Sequence, residues 1–267
     1  MLTLPQVLRP NRTVTRSQAR LLGGAWLASC LAVWSASHFA VLPSPLEVVR
    51  AVPALFAEQA LLGHLASSLY SNLSALAWAT AFAMFFAYLG VVPLLRPLTE
   101  ALATLRFLGF AGISVAFTLW LHGGHALKVA LVTFGMTGFF VAALNDEVRS
   151  IPLERYDYAR TLGLSEWRVV WEVVVLGTLD KALDILRQNA AMGWMLLTTV
   201  ETLVRSEGGI GVLLANQSKH LEFADIAALQ LVIFALGLAQ DFLLGAFKRL
   251  VCPYAVLKVE HDHGPDL

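Results

Sequence analysis

Charge is what this chain has least of: Asp, Glu, Lys and Arg make up 14% of its 267 residues, where a soluble domain carries about a quarter. That shortage excludes an ordinary water-facing surface. The charges also cancel, with Lys+Arg 19 against Asp+Glu 19, so the basic footprint of a nucleic-acid binder is missing. Two cysteines, Cys30 and Cys252, lie at opposite ends of the chain. Neither a disulfide framework nor a cysteine metal site follows from that spacing. A Gly-x-x-x-x-Gly-Lys-Ser/Thr phosphate loop is absent, which excludes that kind of nucleotide site in this chain.

Apolar length is what the chain has instead: hydrophobic residues reach 57%. Runs of about twenty apolar residues recur, each enough to cross roughly 30 Å of hydrocarbon. The pattern predicts an all-α, polytopic membrane helical bundle with six spans, at 21–41, 68–95, 100–121, 126–144, 185–204 and 223–247. The first run could also be a cleaved signal peptide, but it exceeds the usual apolar core of one, and an uncleaved span fits better. Leu42-Pro43-Ser44-Pro45 breaks the chain after it. Residues 46–65 mix Glu47, Arg50, Glu58 and His64 with apolar residues and read as an amphipathic interfacial helix. Residues 205–221 read as a glycine-containing external loop.

Positive charge sets the orientation. With the N-terminus inside, Arg9, Arg12, Arg16, Arg20, Arg96, Arg149, Arg155, Arg160, Arg168, Lys181, Lys248, Arg249 and Lys258 fall on the cytosolic side. Arg50, Lys128, Arg205 and Lys219 fall outside. The bias places both ends in the cytosol. The expected organisation is a cytoplasmic segment at 1–20, one transmembrane domain at 21–253 and a cytoplasmic tail at 254–267.

Residues 145–181 form a polar island between the fourth and fifth spans. Ser150 can cap a helix, Pro152 suits its first turn and Glu154 favours its positive end. Gly163 suits the left-handed position that ends a helix. Ser165 can cap a second helix, in which Trp167, Val170, Trp171 and Val174 keep helical spacing. Two short helices meeting at a glycine can dock in a groove on another protein. A plain surface connection is the other reading of the same residues.

Asp157-Tyr158-Ala159-Arg160-Thr161-Leu162-Gly163, with Val173-Val174-Val175-Leu176 beyond it, resembles the cytoplasmic coupling loop of ABC importer permeases. There the pattern is Glu-Ala-Ala, three residues, Gly, and a closing Ile/Val-x-Leu-Pro. Arg160-Thr161-Leu162-Gly163 with Trp167, Leu42-Pro43-Ser44-Pro45-Leu46-Glu47-Val48, Leu119-Trp120, and Glu201-Thr202-Leu203 with Gly208-Gly209-Ile210-Gly211 are similar to the nitrate/sulfonate/taurine branch. The resemblance covers about 40–253. Asp157 stands for the usual Glu, Tyr158 for the first Ala and Leu176 for the closing Pro. The third span lacks the prolines of relatives, and Ser68-Leu69-Tyr70-Ser71 lacks an early Arg.

The resemblance implies a bacterial inner-membrane permease without its own ATP site. Separate ATPase subunits would carry ATP and Mg; a second permease copy and a periplasmic or extracellular solute-binding protein would complete the machine. Closure of the ATPases would move the helix around Asp157 and Gly163 as a lever. Arg155 and Arg160 would make charge contacts, with Tyr156 and Tyr158 supplying apolar area and Ala159 among the coupling residues; anchoring beside lipid head groups is the alternative use of the arginines and tyrosines. The cargo would be a small polar solute, with nitrate and sulfonates favoured by the branch alone.

Other polar residues suggest a path or a gate. Glu201, near the outer end of the fifth span, can line the outer gate or pair with Arg205. Asn189, Thr198, Thr199, Ser114 and Thr118 can line the path or tie helices together, as can Asn72 and Ser74. Asp180, Lys181, Asp184 and Arg187 read as a local charge network, and Gln240 and Asp241 as neighbours of the Lys248–Arg249 region. His122 and His125, and His261 with His263, lack the further ligands a metal needs. A secondary transporter working alone and a non-transporting membrane anchor are the rival functions. Scarce ionisable residues within the spans speak against the first.

Overall fold

The computed structural model describes residues 15–36, 42–58, 61–121 and 123–253. Arg9, Arg12, His122 and the tail with Lys258, His261 and His263 lie outside the described residues. The described residues form α-helices and short helical turns without a strand, the all-α bundle that the composition predicts.

The first span appears as α1, Arg16–Ala36. Trp26, Leu27 and Val33 on it are exposed, as suits a helix in contact with lipid. Helix α2, Pro45–Glu58, begins with a reciprocal cap: Ser44 N–H donates to Glu47 Oε2 at 2.8 Å, and Glu47 N–H to Ser44 Oγ at 3.3 Å. Val48, Ala51 and Leu55 are buried while Val49 and Arg50 are exposed, the amphipathic face that the sequence predicts, and α2 packs on the last helix. It is shorter than expected: residues 61–65 belong to the next helix.

That helix, α3, spans Leu61–Leu89. Ser68, Ala75, Ala79, Ala83 and Ala87 are all buried along one stripe of it. Small side chains let helix backbones approach closely in lipid, and this stripe seats α6, Gly124–Arg149, the most buried of the long apolar helices. Leu131, Val132, Met136 and Phe140 of α6 fill the interface.

The third expected span is broken. Helix α4, Arg96–Thr104, passes through a tight turn at Leu105–Phe107 into α5, Phe110–Leu121, and the two parts are bent by 109°. The turn lies against α6, where Arg106 N would be 2.9 Å from a Cβ at Gly138. The helical ladder gives way there, with Leu108 extended.

Helix α7, Leu153–Thr161, and the short α8, Glu166–Val169, occupy the polar island. A π-helical stretch, Val170–Leu176, leads from α8 into α9, Leu179–Leu203. The expected loop at 205–221 contains a helix of its own, α10, Ile210–His220, because Ile210, Leu213 and Gln217 find a buried face. Helix α11, Phe223–Val251, closes the bundle. Among the described residues, four helices (α1, α3, α6 and α11) are long and apolar enough to cross a membrane, or up to five with the bent pair counted as one span. Helix α9 has the length, but its charges set it apart from them.

Candidate functional site

Helix α7 is polar and, at nine residues, too short to be a span. Ser150 does not cap it. Its N–H donates back to Asp146 and Glu147 O, and its hydroxyl to Glu147 O at 2.7 Å, so it closes α6 instead. Pro152 takes the N-cap position in an extended conformation. Glu154 sits in the first turn and Arg160 in the last, each favourable to the helix dipole. Gly163 ends the helix at φ +75°. No atom lies within 4 Å of a Cβ built there, so backbone conformation alone asks for glycine.

Arg160 staples the two sides of this glycine. Nε donates to Glu166 Oε1 at 3.0 Å, Nη2 to Glu166 Oε2 at 3.2 Å and Nη1 to Asp157 Oδ1 at 3.1 Å. The paired hydrogen bonds raise the Arg160 pKa and hold the Glu166 carboxyl below its ordinary value. Burial pushes the Tyr156 hydroxyl up.

The predicted coupling residues divide between two sides of α7. Arg155, Tyr158 and Ala159 line a groove of about 490 Å³ with Leu162, Glu172 and Val173. Tyr156 and Arg160 face a second cavity against α3, α4 and α6. Leu153, Tyr158, Leu162 and Trp167 are exposed apolar side chains within this otherwise polar stretch. A cluster of that kind marks a contact surface.

At the opposite end of the bundle, Glu201 is fully buried. It accepts from Ser68 Oγ at 2.6 Å and from Gly211 N–H at 2.8 Å, while Ser68 Oγ accepts from Ile210 N–H at 2.8 Å. Gly209 N–H donates to His64 Nδ1 at 2.9 Å, and Lys128 Nζ to Gly208 O at 2.5 Å. The carboxylate therefore moulds the glycine turn before α10. Arg205 is not its partner; that guanidinium donates to Thr202 O. Lys128, read from sequence as an outer-edge charge, is buried under the same turn.

In the middle of the bundle, Gln240 Oε1 accepts from Asn72 Nδ2 at 2.9 Å and from Trp194 Nε1 at 2.7 Å, joining α3, α9 and α11. Toward the coupling-loop end, Arg187 of α9 pairs with Asp241 of α11, and Asp184 with Lys248. The local network expected along α9 is thus a pair of bridges to α11. Sequence reading missed these links. The available signal was that each helix carries opposite charges at a similar distance from that end.

The remaining path residues are dispersed. Asn189 donates to Ile185 O, and Thr198 to Trp194 O, both on their own helix. They are nine positions apart, half a turn out of phase, and so face different sides of α9. Ser114 is half-buried on α5, its carbonyl accepting from Thr118. His125 stacks on Tyr70 and lies 3.3 Å from Ser71 Oγ through Nδ1.

Residues 30–252 match the family described as binding-protein-dependent transport system inner membrane component. The chain is also 27% identical over 227 residues, 80% of each chain, to the taurine transport system permease protein TauC of Escherichia coli (strain K12).

Proposed function

Because the chain belongs to the family of inner membrane components of binding-protein-dependent transport systems, we propose that it forms the translocation path of an ATP-driven importer for a sulfonate such as taurine. The similarity to a taurine permease supports the cargo class. The observation that carries the reading is the α7–Gly163–α8 pair, a short helical stub with apolar side chains exposed on a polar segment. Such a stub suits the grip of a soluble ATPase subunit that carries ATP and Mg. The arginines that flank it, Arg149, Arg155 and Arg168, favour the cytosolic side, with both chain ends there as well.

A second permease copy would complete the path. Arg187 and Asp241 keep 41% and 47% of their side-chain surface exposed. Charges so placed avoid hydrocarbon and face protein or water, which favours the α9–α11 face as the side toward the other copy or the path. A solute-binding protein would deliver cargo at the end where Glu201 moulds the Gly208-Gly209-Ile210-Gly211 turn.

The test is reconstitution with candidate ATPase and binding-protein subunits in vesicles. Co-purification of the ATPase and ATP-dependent taurine uptake are expected. Uptake without ATP would favour a lone transporter, and ATPase binding without any uptake an anchor. Arg155→Cys should react with an impermeant thiol reagent only from the cytosolic side, and Lys219→Cys only from the other.

A further inference from the structure

The second cavity beside α7 has no part in this reading. It encloses about 370 Å³ and is lined by Arg96, Thr99, Asn145, Arg149, Tyr156 and Arg160 among others. Three arginines are among its lining residues, and no Asp or Glu is. Glu100, which pairs with Arg149, and Asp157 and Glu166, which pair with Arg160, are not lining residues. Arg96 makes no ion pair among the described residues. Asn145 and Thr99, also lining residues, are buried, and the Thr99 hydroxyl donates to Arg96 O at 2.9 Å.

Arg149 and Arg160 are each balanced by a carboxylate outside the cavity, whereas Arg96 is not among the described residues, and an anion entering the cavity would supply its missing counter-charge. The planar fork of arginine matches a tetrahedral oxyanion through two parallel hydrogen bonds. The cavity also lies where α3 and α6 end, beside the start of α4, and basic pockets between the ends of membrane helices are the kind that bind lipid head groups.

We propose that this cavity binds a tetrahedral oxyanion, either the phosphate of an anionic lipid or a free phosphate or sulfate ion. Arg96 and Arg149 reach it from the bundle, Tyr156 and Arg160 from α7. A bound anion therefore ties α7 to the membrane helices. The cytosolic location of the cavity rests on the orientation proposed above; the anion site does not.

The full-length chain is titrated with inorganic phosphate and with sulfate in neutral detergent. In parallel it is placed in nanodiscs of phosphatidylcholine with and without phosphatidylglycerol. The thermal unfolding midpoint is read in both arms. A rise with the free ions identifies a soluble anion, and a rise with phosphatidylglycerol alone a lipid headgroup. Arg96→Gln should weaken the response roughly tenfold or more, the worth of one charged hydrogen-bond pair. No shift with either probe, or equal shifts in wild type and variant, overturns the proposal. Should Arg96→Gln fail to fold, the Glu100→Gln/Arg149→Gln double variant removes an ion pair as a unit and is judged by the same criterion. Failure of the thiol-labelling experiment would overturn the orientation and leave this titration intact.

Discussion

Arg187 on α9 holds Asp241 on α11 with both arms of its guanidinium, Nε to Oδ1 at 2.6 Å and Nη2 to Oδ2 at 2.5 Å. The two helices meet again through Lys248 and Asp184 at 2.5 Å. Between two helices of the bundle such a pair is useful chiefly by its geometry: each charge is tolerable because the other is present.

Removing one partner leaves the other charge stranded. Arg187→Ala or Asp241→Ala should each lower the unfolding midpoint, by a modest amount because both side chains keep a large share of their surface exposed. The Arg187→Gln/Asp241→Asn double variant retains a neutral hydrogen bond and should recover much of the loss. Unfolding midpoints in detergent measure this. Losses that simply add in the double variant would show that the two residues act independently.

Gly209 makes a different kind of demand. It sits at φ +121°, and a Cβ there would overlap the Glu201 carboxylate. Gly209→Ala therefore combines backbone strain with a clash, and a loss of about 2 kcal/mol or more is expected. Glu201→Gln should cost less than Glu201→Ala. The amide oxygen can still accept from Gly211 N–H or Ser68 Oγ, whereas alanine leaves both without that acceptor. Equal midpoints for the two Glu201 variants would mean that the carboxylate does not shape the turn.

How far the sequence reaches is clear from particular helices. Hydrophobic length located α1, α3, α6 and α11 because lipid asks for long unbroken apolar runs. Gly163 was legible because a helix that must stop leaves a conformational signature. The break between α4 and α5 was not, since Phe107 to Gly112 stays apolar through it; the cause is a close approach to Gly138, a distant residue. Helix α10 was hidden for a similar reason. Its Ile210 N–H is satisfied by Ser68, several helices away in the chain, and its turn by Glu201 at the end of the preceding helix, contacts that exist only once the chain has folded back. Ser150 illustrates a local ambiguity: the same hydroxyl suits a helix start and a helix end, and the α6 carbonyls claimed it. The site is thus readable where local backbone rules govern it and obscure where tertiary contacts do.

The Arg160–Glu166 staple predicts a pH dependence of known sign. Glu166 has a folded-state pKa below the ordinary 4.5, so its stabilisation is fully present above that value. It is lost as pH falls through the depressed folded-state value. Spin labels at Tyr158→Cys and Trp167→Cys, with the exposed Cys30 replaced and Cys252 buried, should report one distance from neutral pH down to about 5. The distribution should broaden only below the ordinary carboxylate range. In Glu166→Gln it should already be broader at neutral pH. A distribution that changes between neutrality and pH 5 would assign the hinge to a different group.

On the proposed function, substitution of Gly163 should separate folding from force transmission. At φ +75° a β-branched side chain is strained by about 1–2 kcal/mol, while Asn tolerates that conformation better. No neighbour crowds the position, so Gly163→Val should insert in the membrane and pack its spans as before. What changes is the angle between α7 and α8, and with it the register of Tyr158, Leu162 and Trp167 against a partner. Stimulation of ATP hydrolysis by cargo-loaded binding protein should fall in Gly163→Val and recover in Gly163→Asn, at unchanged expression and unchanged unfolding midpoint of the spans. A Gly163→Val protein that couples as well as wild type would remove α7 from the transmission path, because the hinge angle is the one property this substitution changes without touching the membrane helices.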